Sequence, residues 1–305
     1  MRTIKLGSSK LSVPVIGLGC MRITELEEND IPNYLNHCLE LGINFFDHAD
    51  IYSGGECEER FARGFAELGV DREDIILQSK CGIVPGWMYD LSYEYIIKAV
   101  DGILKRLNTE YLDVLLLHRP DALFEPEDIA KAFNELLKKG KVRNFGVSNF
   151  RPTQIKLLKT CVKQPICVDQ LQFSISFSSM ISAGLEANMM TDGAADRDGN
   201  VLDFCRLNNI SVQAWSPFQG RHGAFIDSNE AYPDLNWALG EISAKYNTTK
   251  TAIAAAWILR HPARIQTIAG TMNFDRIKEV AAASDITLTR DEWYRLYTSA
   301  GHLLP

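Results

Sequence analysis

The sequence predicts an α/β fold, a single (β/α)₈ TIM barrel over residues 1–305 with an N-terminal β-hairpin and a C-terminal helix. Short apolar segments alternate eight times with longer amphipathic segments, as in parallel strands joined by helices. A doubly wound sheet rarely reaches eight units, so this alternation favours a closed barrel. The 305 residues contain no linker, charge block or low-complexity tract, and we therefore expect one domain.

Each β element has its own signal. Residues 2–15 predict the hairpin, because two short apolar runs flank the turn-forming residues 7–10. Seven of the eight barrel segments show an apolar run or strict alternation, and the last one is weak. The predicted barrel strands are residues 16–18, 44–46, 75–78, 114–117, 144–147, 167–171, 211–214 and 267–268.

Amphipathic periodicity predicts the helices between these strands, most clearly over residues 93–106, 127–139 and 235–246. Pro152 is placed to begin a further helix. A terminal helix near residues 289–299 is expected on the outside of the barrel. Two segments that follow strands are too long for plain connections and should form long loops on the active face: residues 174–198 and 218–233.

Composition restricts the class of protein. The 46% of hydrophobic residues suffice for a large core and exclude a disordered chain, and the net charge of −7 argues against a nucleic-acid or anionic-membrane partner. We see no signal peptide, and the longest apolar run is far below the roughly 18 residues that span a bilayer. Seven scattered cysteines indicate a reduced, cytoplasmic protein. For Cys81, which follows Lys80 directly, a buried small hydrophobic residue is favoured over the alternative of a reactive thiol. The oligomeric state stays open and is compatible with a monomer.

Four polar residues follow three successive predicted strands: Asp47, Tyr52, Lys80 and His118. Tyr52 can donate a proton to a carbonyl oxygen that gains negative charge, and a Lys80 ammonium nearby would make that proton easier to release. Asp47 would hold the ammonium, and an N–H of His118 would orient the oxygen. Each residue alone has an ordinary explanation: a packed tyrosine, an ion pair or a core histidine. Their occurrence together predicts carbonyl reduction.

Later strand ends carry groups that suit an amide and a planar ring. Ser148, Asn149 and Gln170 can satisfy a carboxamide such as that of nicotinamide, and Trp215 offers a flat face. The alternatives are that Ser148 and Asn149 cap the helix at Pro152 and that Trp215 fills the core.

The segment after the last strand suits an anion. Gly270 admits close approach of the backbone, and a helix that begins near Phe274 would direct free N–H groups outward. Arg276 could clamp a phosphate there, although it could also be an ordinary solvated residue on a helix face.

These residues belong to motifs that resemble the aldo-keto reductase family over essentially the whole chain, in particular a bacterial branch of poorly defined oxidoreductases. The motifs are Phe46-Asp47-His48-Ala49-Asp50-Ile51-Tyr52, Leu77-Gln78-Ser79-Lys80, Leu116-Leu117-His118-Arg119-Pro120, Gly146-Val147-Ser148-Asn149 and Trp215-Ser216-Pro217. The resemblance implies a barrel without a Rossmann domain that binds NADPH across its C-terminal face. It implies Tyr52 as general acid in a tetrad with Asp47, Lys80 and His118.

The resemblance also implies which residues contact the cofactor. Ser148, Asn149 and Gln170 would hold the carboxamide, and Trp215 would stack on nicotinamide in place of a more usual tyrosine. Further contacts are implied for Met21, Arg22, Ser216, Pro217, Phe218, Gly220, Arg221, Gly270, Thr271, Asn273, Arg276 and Glu279.

Two departures from the family pattern concern the adenosine end. Gly270 stands where many members have a lysine beside the 2′-phosphate, so the expected NADPH preference rests on Thr271 and Arg276, and NAD is the alternative cofactor. Val280 stands where an asparagine that contacts adenine is frequent.

The expected substrate is a small aldehyde or ketone in a pocket shaped by His48, Trp87, Tyr89 and the loops 121–125 and 174–198. One alternative function is a nicotinamide-binding sensor or regulatory subunit on the same barrel. A remote alternative is a metal-dependent hydrolase with ligands from Asp47, His48, Asp50 and His118, which the positive charge of Lys80 disfavours.

Overall fold

The computed structural model describes residues 1–228 and 230–304 and confirms the predicted barrel. The strands in chain order are β1 (Thr3–Lys5), β2 (Ser12–Pro14), β3 (Ile16–Gly19), β4 (Phe45–Asp47), β5 (Ile76–Cys81), β6 (Ile83–Val84), β7 (Met88–Tyr89), β8 (Leu112–Leu117), β9 (Val142–Ser148), β10 (Ile166–Gln172), β11 (Ser211–Trp215), β12 (Gln219–Gly220), β13 (Gly223–Ala224) and β14 (Gln266–Ala269). Eight parallel strands close in the order β3, β4, β5, β8, β9, β10, β11 and β14, back to β3. All eight predicted strands are found, with ends shifted by at most three residues.

The helices in chain order are α1 (Ile31–Glu40), α2 (Glu56–Ala66), α3 (Tyr93–Arg106), α4 (Pro126–Lys138), α5 (Pro152–Leu158), α6 (Ser179–Leu185), α7 (Val201–Leu207), α8 (Pro233–Lys245), α9 (Lys250–Leu259), α10 (Phe274–Ala282) and α11 (Arg290–Ser299). The predicted helix over residues 93–106 has the predicted bounds. Both α4 and α8 begin earlier than predicted, because a proline occupies the first turn of each and needs no hydrogen-bond acceptor for its nitrogen.

The terminal helix α11 packs on the outside of the barrel, as predicted. Trp293 of α11 stacks on Trp257 of α9 with ring centroids 4.7 Å apart. Each indole N–H donates to the other residue's backbone carbonyl, at 3.0 and 3.1 Å. This reciprocal pair satisfies both buried donors and fixes the helix to the barrel wall.

The barrel interior is apolar in the half that lies at the amino ends of the strands. The hairpin β1–β2 closes the N-terminal end, where Leu6 and Val13 pack in one buried cluster with strand residues such as Phe45, Val114 and Val168. A larger apolar core lies between the strands and the helices. Cys81 is buried, and burial raises the pKa of its thiol, which fits the predicted role of a small core residue.

Gly7 lies in the turn of the β1–β2 hairpin and packs against the barrel, where its N–H donates to Ser211 Oγ at 2.6 Å. Its φ is 51°, and a Cβ atom there would lie 2.1 Å from the carbonyl oxygen of Cys167 and 2.9 Å from that of Asn209. Backbone atoms cannot rotate away, so we expect Gly7→Ala to lower the free energy of unfolding by about 3 kcal/mol through left-handed strain and overpacking. Urea unfolding followed by circular dichroism measures this loss.

Gly69→Ala is the matched control for this substitution. Gly69 also has positive φ, 63°, but no atom lies within 4 Å of its added Cβ. It should therefore show only the conformational cost, about 1 kcal/mol. Equal losses in the two variants would contradict the packing at Gly7.

The carboxyl end of the barrel carries the long loops, as predicted, and these contain short elements. The segment 174–198 includes α6, and the segment after β11 folds into the small hairpin β12–β13. Another hairpin, β6–β7, follows β5. No helix in the described ranges combines the length and apolar character needed to cross a membrane.

Candidate active site

A cavity of about 850 Å³ opens at the carboxyl ends of the barrel strands. Active sites of such barrels lie at this end. The predicted residues that line it are Met21, Arg22, Asp47, Tyr52, His118, Ser148, Asn149, Gln170, Trp215, Ser216, Pro217, Phe218, Gly270, Thr271, Asn273 and Arg276. Lys80 is fully buried behind this lining.

The four proposed catalytic residues form one contact group. The Lys80 ammonium donates hydrogen bonds to both carboxylate oxygens of Asp47, at 2.7 and 2.8 Å, and to the carbonyl oxygen of His48 at 2.8 Å. The same ammonium lies 3.3 Å from the Tyr52 hydroxyl. The Tyr52 and His118 rings meet edge to face, with centroids 6.1 Å apart. A phenol, a cation, a carboxylate and an imidazole thus meet at one wall of the cavity.

Strand alternation and one turn bring these residues together. Asp47 ends β4 and Lys80 lies near the end of β5, the neighbouring strand, with Asp47 opposite Gln78 in the register. Tyr52 begins a 3₁₀ turn in which residues 53–55 all have positive φ, between 47° and 99°. Two of these three residues are glycines, which adopt that conformation without a Cβ clash. The chain turns directly after Tyr52, whose ring centroid lies 5.2 Å from the Lys80 ammonium.

The electrostatics of the group follow from its burial. Burial raises the pKa of Tyr52, and the Lys80 ammonium opposes that rise without reversing it. Burial alone would lower the pKa of Lys80, but the Asp47 carboxylate raises it, so the amine stays charged. Burial, with Lys80 contributing, lowers the pKa of His118 to about 3, which makes the imidazole neutral. Lys80 was expected to make the phenol more acidic, and here it only limits the effect of burial.

The predicted amide-binding residues form a chain of contacts. Ser148 Oγ donates to the carbonyl oxygen of Gln170 at 2.9 Å, and Asn149 Nδ2 donates to Ser148 Oγ at 2.8 Å. Trp215 Nε1 donates to Asn149 Oδ1 at 3.2 Å, so the indole borders the cavity in a fixed orientation. The capping alternative is wrong, because the N-cap of α5 is Arg151.

Two arginines, Arg22 and Arg276, line the far end of the cavity, where Arg22 lies 3.8 Å from the Glu25 carboxylate. Arg22 Nη1 donates to the carbonyl oxygen of Gly270 at 2.8 Å, which joins the segment after β3 to the segment after β14. Asn273 caps α10 by accepting from the backbone N–H of Arg276 at 2.9 Å. The Arg276 side chain lines the cavity, is exposed, and has no ion-pair partner among residues 1–228 and 230–304.

The structure does not bring three of the predicted cofactor residues to the cavity: Gly220, Arg221 and Glu279. A Cβ on Gly220 would meet Ser176 Oγ at 2.1 Å, so this residue faces the segment 174–198. Arg221, at the tip of the β12–β13 hairpin, lines a separate cavity of about 420 Å³ and lies 3.8 Å from Asp192.

The three predicted substrate-pocket residues also lie outside the cavity lining: His48, Trp87 and Tyr89. His48 is fully buried and packs edge-on against Phe61, with centroids 4.6 Å apart. The reason is alternation, because His48 follows Asp47 and adjacent strand-end residues face opposite sides. Trp87 and Tyr89 are exposed near and on the β6–β7 hairpin, 79% and 47% accessible. None of the three contacts the cavity in this arrangement.

Sequence reasoning missed three buried glutamines in the barrel interior: Gln78, Gln213 and Gln266. Gln78 precedes Lys80 by two residues, and Gln213 precedes Trp215 by two. Period-two spacing from a predicted site residue places a side chain on the same face of a strand. That spacing was the available signal.

The metal-dependent alternative finds no support in the ligand geometry. No group of three or more His, Cys, Asp or Glu residues is placed to hold a metal ion within the described ranges. Of the suggested ligands, His48 faces away from Asp47, and the Asp47 carboxylate is already paired with the Lys80 ammonium.

Comparison with known proteins agrees with the fold. The sequence model of the Aldo/keto reductase family matches residues 15–299. The "Uncharacterized oxidoreductase YcsN" of Bacillus subtilis is 32% identical over 300 residues, 94% of each chain. The "6-dehydroglucose reductase" of Agrobacterium fabrum is 33% identical over 305 residues, 96% of each chain. The crystal structure of the thermostable aldo-keto reductase Tm1743 is similar with a TM-score of 0.80 at 25% identity, covering 98% of this chain and 100% of that one. The chain therefore belongs to the aldo/keto reductase family of oxidoreductases.

Proposed function

We propose that this protein reduces small aldehydes or ketones to alcohols with NADPH as the reductant. The observation that carries the proposal is the position of the Lys80 ammonium, which contacts the Asp47 carboxylate at 2.7 Å and the Tyr52 hydroxyl at 3.3 Å beside a large cavity. A phenol next to a fixed cation is a proton donor whose conjugate base is stabilised.

The chain's own residues would act on the carbonyl oxygen. Tyr52 donates its proton to that oxygen as negative charge develops there, and the Lys80 ammonium stabilises the phenolate that remains. Asp47 keeps Lys80 charged and in place. His118 is neutral, since burial lowers its pKa to about 3, and it donates a hydrogen bond to the same oxygen from a ring N–H. The bound cofactor supplies the hydride.

The residues at the cavity fit a nicotinamide carboxamide. The Gln170 side-chain oxygen has no hydrogen-bond donor among the described residues, so it can accept from an amide NH₂. Asn149 Nδ2 donates to Ser148 Oγ at 2.8 Å and makes a second, long bond of 3.4 Å to the carbonyl oxygen of His118. The N–H of that long bond can donate to an amide oxygen instead. Trp215 offers its ring face next to them.

The preference for NADPH is tested at Arg276. Its guanidinium lies at the cavity edge, has no ion-pair partner in the described part of the chain, and suits the 2′-phosphate, which NADH lacks. We expect Arg276→Ala to weaken NADPH binding by about tenfold and NADH binding by less than about twofold. Fluorescence titration with both cofactors measures this.

Arg295→Ala is the control for the Arg276 test, because Arg295 lies over Trp237, on the outer helices α11 and α8. It should change neither affinity. Equal weakening of both cofactors in Arg276→Ala would contradict a contact with the 2′-phosphate.

The proposed activity itself is tested by titrating the wild-type protein with NADPH and NADH and then assaying a panel of aldehydes and ketones. The panel should include a 6-dehydro sugar, since a relative is named for that reduction. NADPH-dependent turnover is expected. Tight NADPH binding with no turnover on any carbonyl would favour the sensor alternative, and absence of binding would refute the proposal.

A further inference from the structure

The barrel interior contains a polar layer between the apolar cluster at the β1–β2 hairpin and the cavity at the carboxyl ends of the strands. Four glutamines point into it from four different strands: Gln78, Gln170, Gln213 and Gln266. Their exposed fractions are 0–3%. Branched apolar residues dominate the interior of most barrels of this type, and a buried amide is costly unless its hydrogen bonds are made.

The upper part of this network holds Asp47. Gln78 Nε2 donates to Asp47 Oδ1 at 2.7 Å and to Gln213 Oε1 at 2.9 Å. Gln170 Nε2 donates to the same two acceptors, at 3.2 and 3.1 Å. Asp47 Oδ1 therefore accepts from two amides in addition to Lys80.

The lower part connects the network to the hairpin. Gln213 Nε2 donates to Gln78 Oε1 at 3.2 Å and to Gln266 Oε1 at 2.8 Å. Gln266 Nε2 donates to the backbone carbonyl of Pro14 at 2.8 Å. Every N–H of Gln78 and Gln213 is thus used, and their side-chain oxygens also have donors.

The direction of these bonds is set by charge. The Asp47 carboxylate can only accept, so each neighbouring amide must turn its NH₂ group toward it. Turning the Gln170 amide over would place its oxygen against the carboxylate and also against the oxygen of Gln213. Both contacts would be repulsive. Gln170 therefore keeps its oxygen on the cavity side.

We propose that Gln78 and Gln213 are positioning residues that, together with Asp47, hold the Gln170 amide in the one orientation that presents an acceptor to the cavity. The inference rests on the proposed function and adds to it a preference for one kind of cofactor ring. The site selects a pyridine ring that carries a carboxamide NH₂ over the same ring with a group that cannot donate. Gln266 anchors the network to Pro14 and touches neither Asp47 nor Gln170.

The test compares binding of two oxidised cofactors, NADP and its 3-acetylpyridine analogue, in which a methyl group replaces the amide NH₂. Quenching of intrinsic tryptophan fluorescence gives the dissociation constants without any turnover. The wild-type protein should bind NADP about tenfold more tightly than the analogue, because the analogue leaves the Gln170 oxygen unpaired. In Gln213→Met this ratio should fall to about threefold or less, since Gln170 loses one of its two acceptors and only the 3.2 Å bond to Asp47 still orients it.

Gln266→Met is the matched control, because it removes a fully buried glutamine of the same network without changing the partners of Gln170. It should keep the wild-type ratio. A folded Gln213→Met variant with the wild-type ratio would overturn the inference. So would a wild-type protein that binds both cofactors equally, a result that needs no variant to fold. If the wild-type protein binds neither, the proposed function itself fails.

Discussion

Tyr52→Phe is expected to lower kcat for aldehyde reduction by about 1,000-fold while NADPH affinity stays close to that of the wild-type protein. The substitution removes only the hydroxyl, which lies 3.3 Å from Lys80 Nζ, and leaves the ring in place. No other phenol lines the cavity among the described residues, so no neighbour can replace the proton donor. Steady-state kinetics and a fluorescence titration measure the two quantities.

Tyr297→Phe serves as the control for this substitution. Tyr297 is fully buried, and its hydroxyl is bonded to Ser182 Oγ at 2.8 Å, far from the proposed catalytic residues in the barrel. It should keep wild-type turnover. Wild-type turnover in Tyr52→Phe as well would remove the general acid from the proposed mechanism.

The same assignment fixes the direction of the pH dependence of reduction. The protonated form of Tyr52 is the active one, and burial raises its pKa. The rate should therefore be flat through neutral pH and fall only as the pH rises toward that pKa. His118, with a pKa of about 3, should add no step between pH 5 and pH 8.

Lys80→Met is expected to reduce both activity and stability. The ammonium is the only cation that contacts the buried Asp47 carboxylate among the described residues. Its removal should cost about 3 kcal/mol in the free energy of unfolding, because an uncompensated charge remains in the barrel. Loss of phenolate stabilisation should also lower kcat by about 100-fold or more. Urea unfolding and steady-state kinetics measure the two effects.

The double variant Asp47→Asn with Lys80→Met separates these effects. A neutral amide at position 47 should recover much of the lost stability, since no buried charge remains, but it should recover no activity. Arg72→Met is the control for an ion pair elsewhere, because Arg72 binds Asp113 at 2.8 Å near the amino ends of β5 and β8. It should lower stability with turnover intact. Recovery of turnover in the double variant would contradict the role of Lys80.

The barrel could be predicted because most of its buried parallel strands contain a short apolar run that alternates with an amphipathic helix. Even the weak eighth segment was placed correctly, as β14. The strand β5 extends to Cys81, beyond the predicted end at Gln78. Its residues Gln78 and Lys80 point into the polar layer of the interior and bind Asp47. By contrast, Ser79 faces helix α2 and donates to Glu58 at 2.7 Å. Apolar runs cannot signal a strand of that kind.

The sequence predicted which residues follow the strand ends at the cavity. It did not predict in which direction each of their side chains points. Asp47 and His48 are neighbours in the sequence, yet only Asp47 reaches the cavity. The hairpin that places Trp87 and Tyr89 in solvent has no barrel strand to fix it, so its position could not be read from spacing. The glutamine network was missed because the strands were identified by their apolar residues. The inward-facing polar residues between them were therefore not considered as a group.

The separation between the polar interior and the exposed β6–β7 hairpin has a practical consequence for engineering. Trp87 and Tyr89 should tolerate substitution at little cost in stability, since these side chains are well exposed, but they do not line the cavity. Libraries that include Gln78 or Gln213 would instead accumulate inactive clones. Directed evolution toward new substrates should therefore begin at cavity-lining residues outside the glutamine network, such as Leu26 and Ile226, and spare the strand interior.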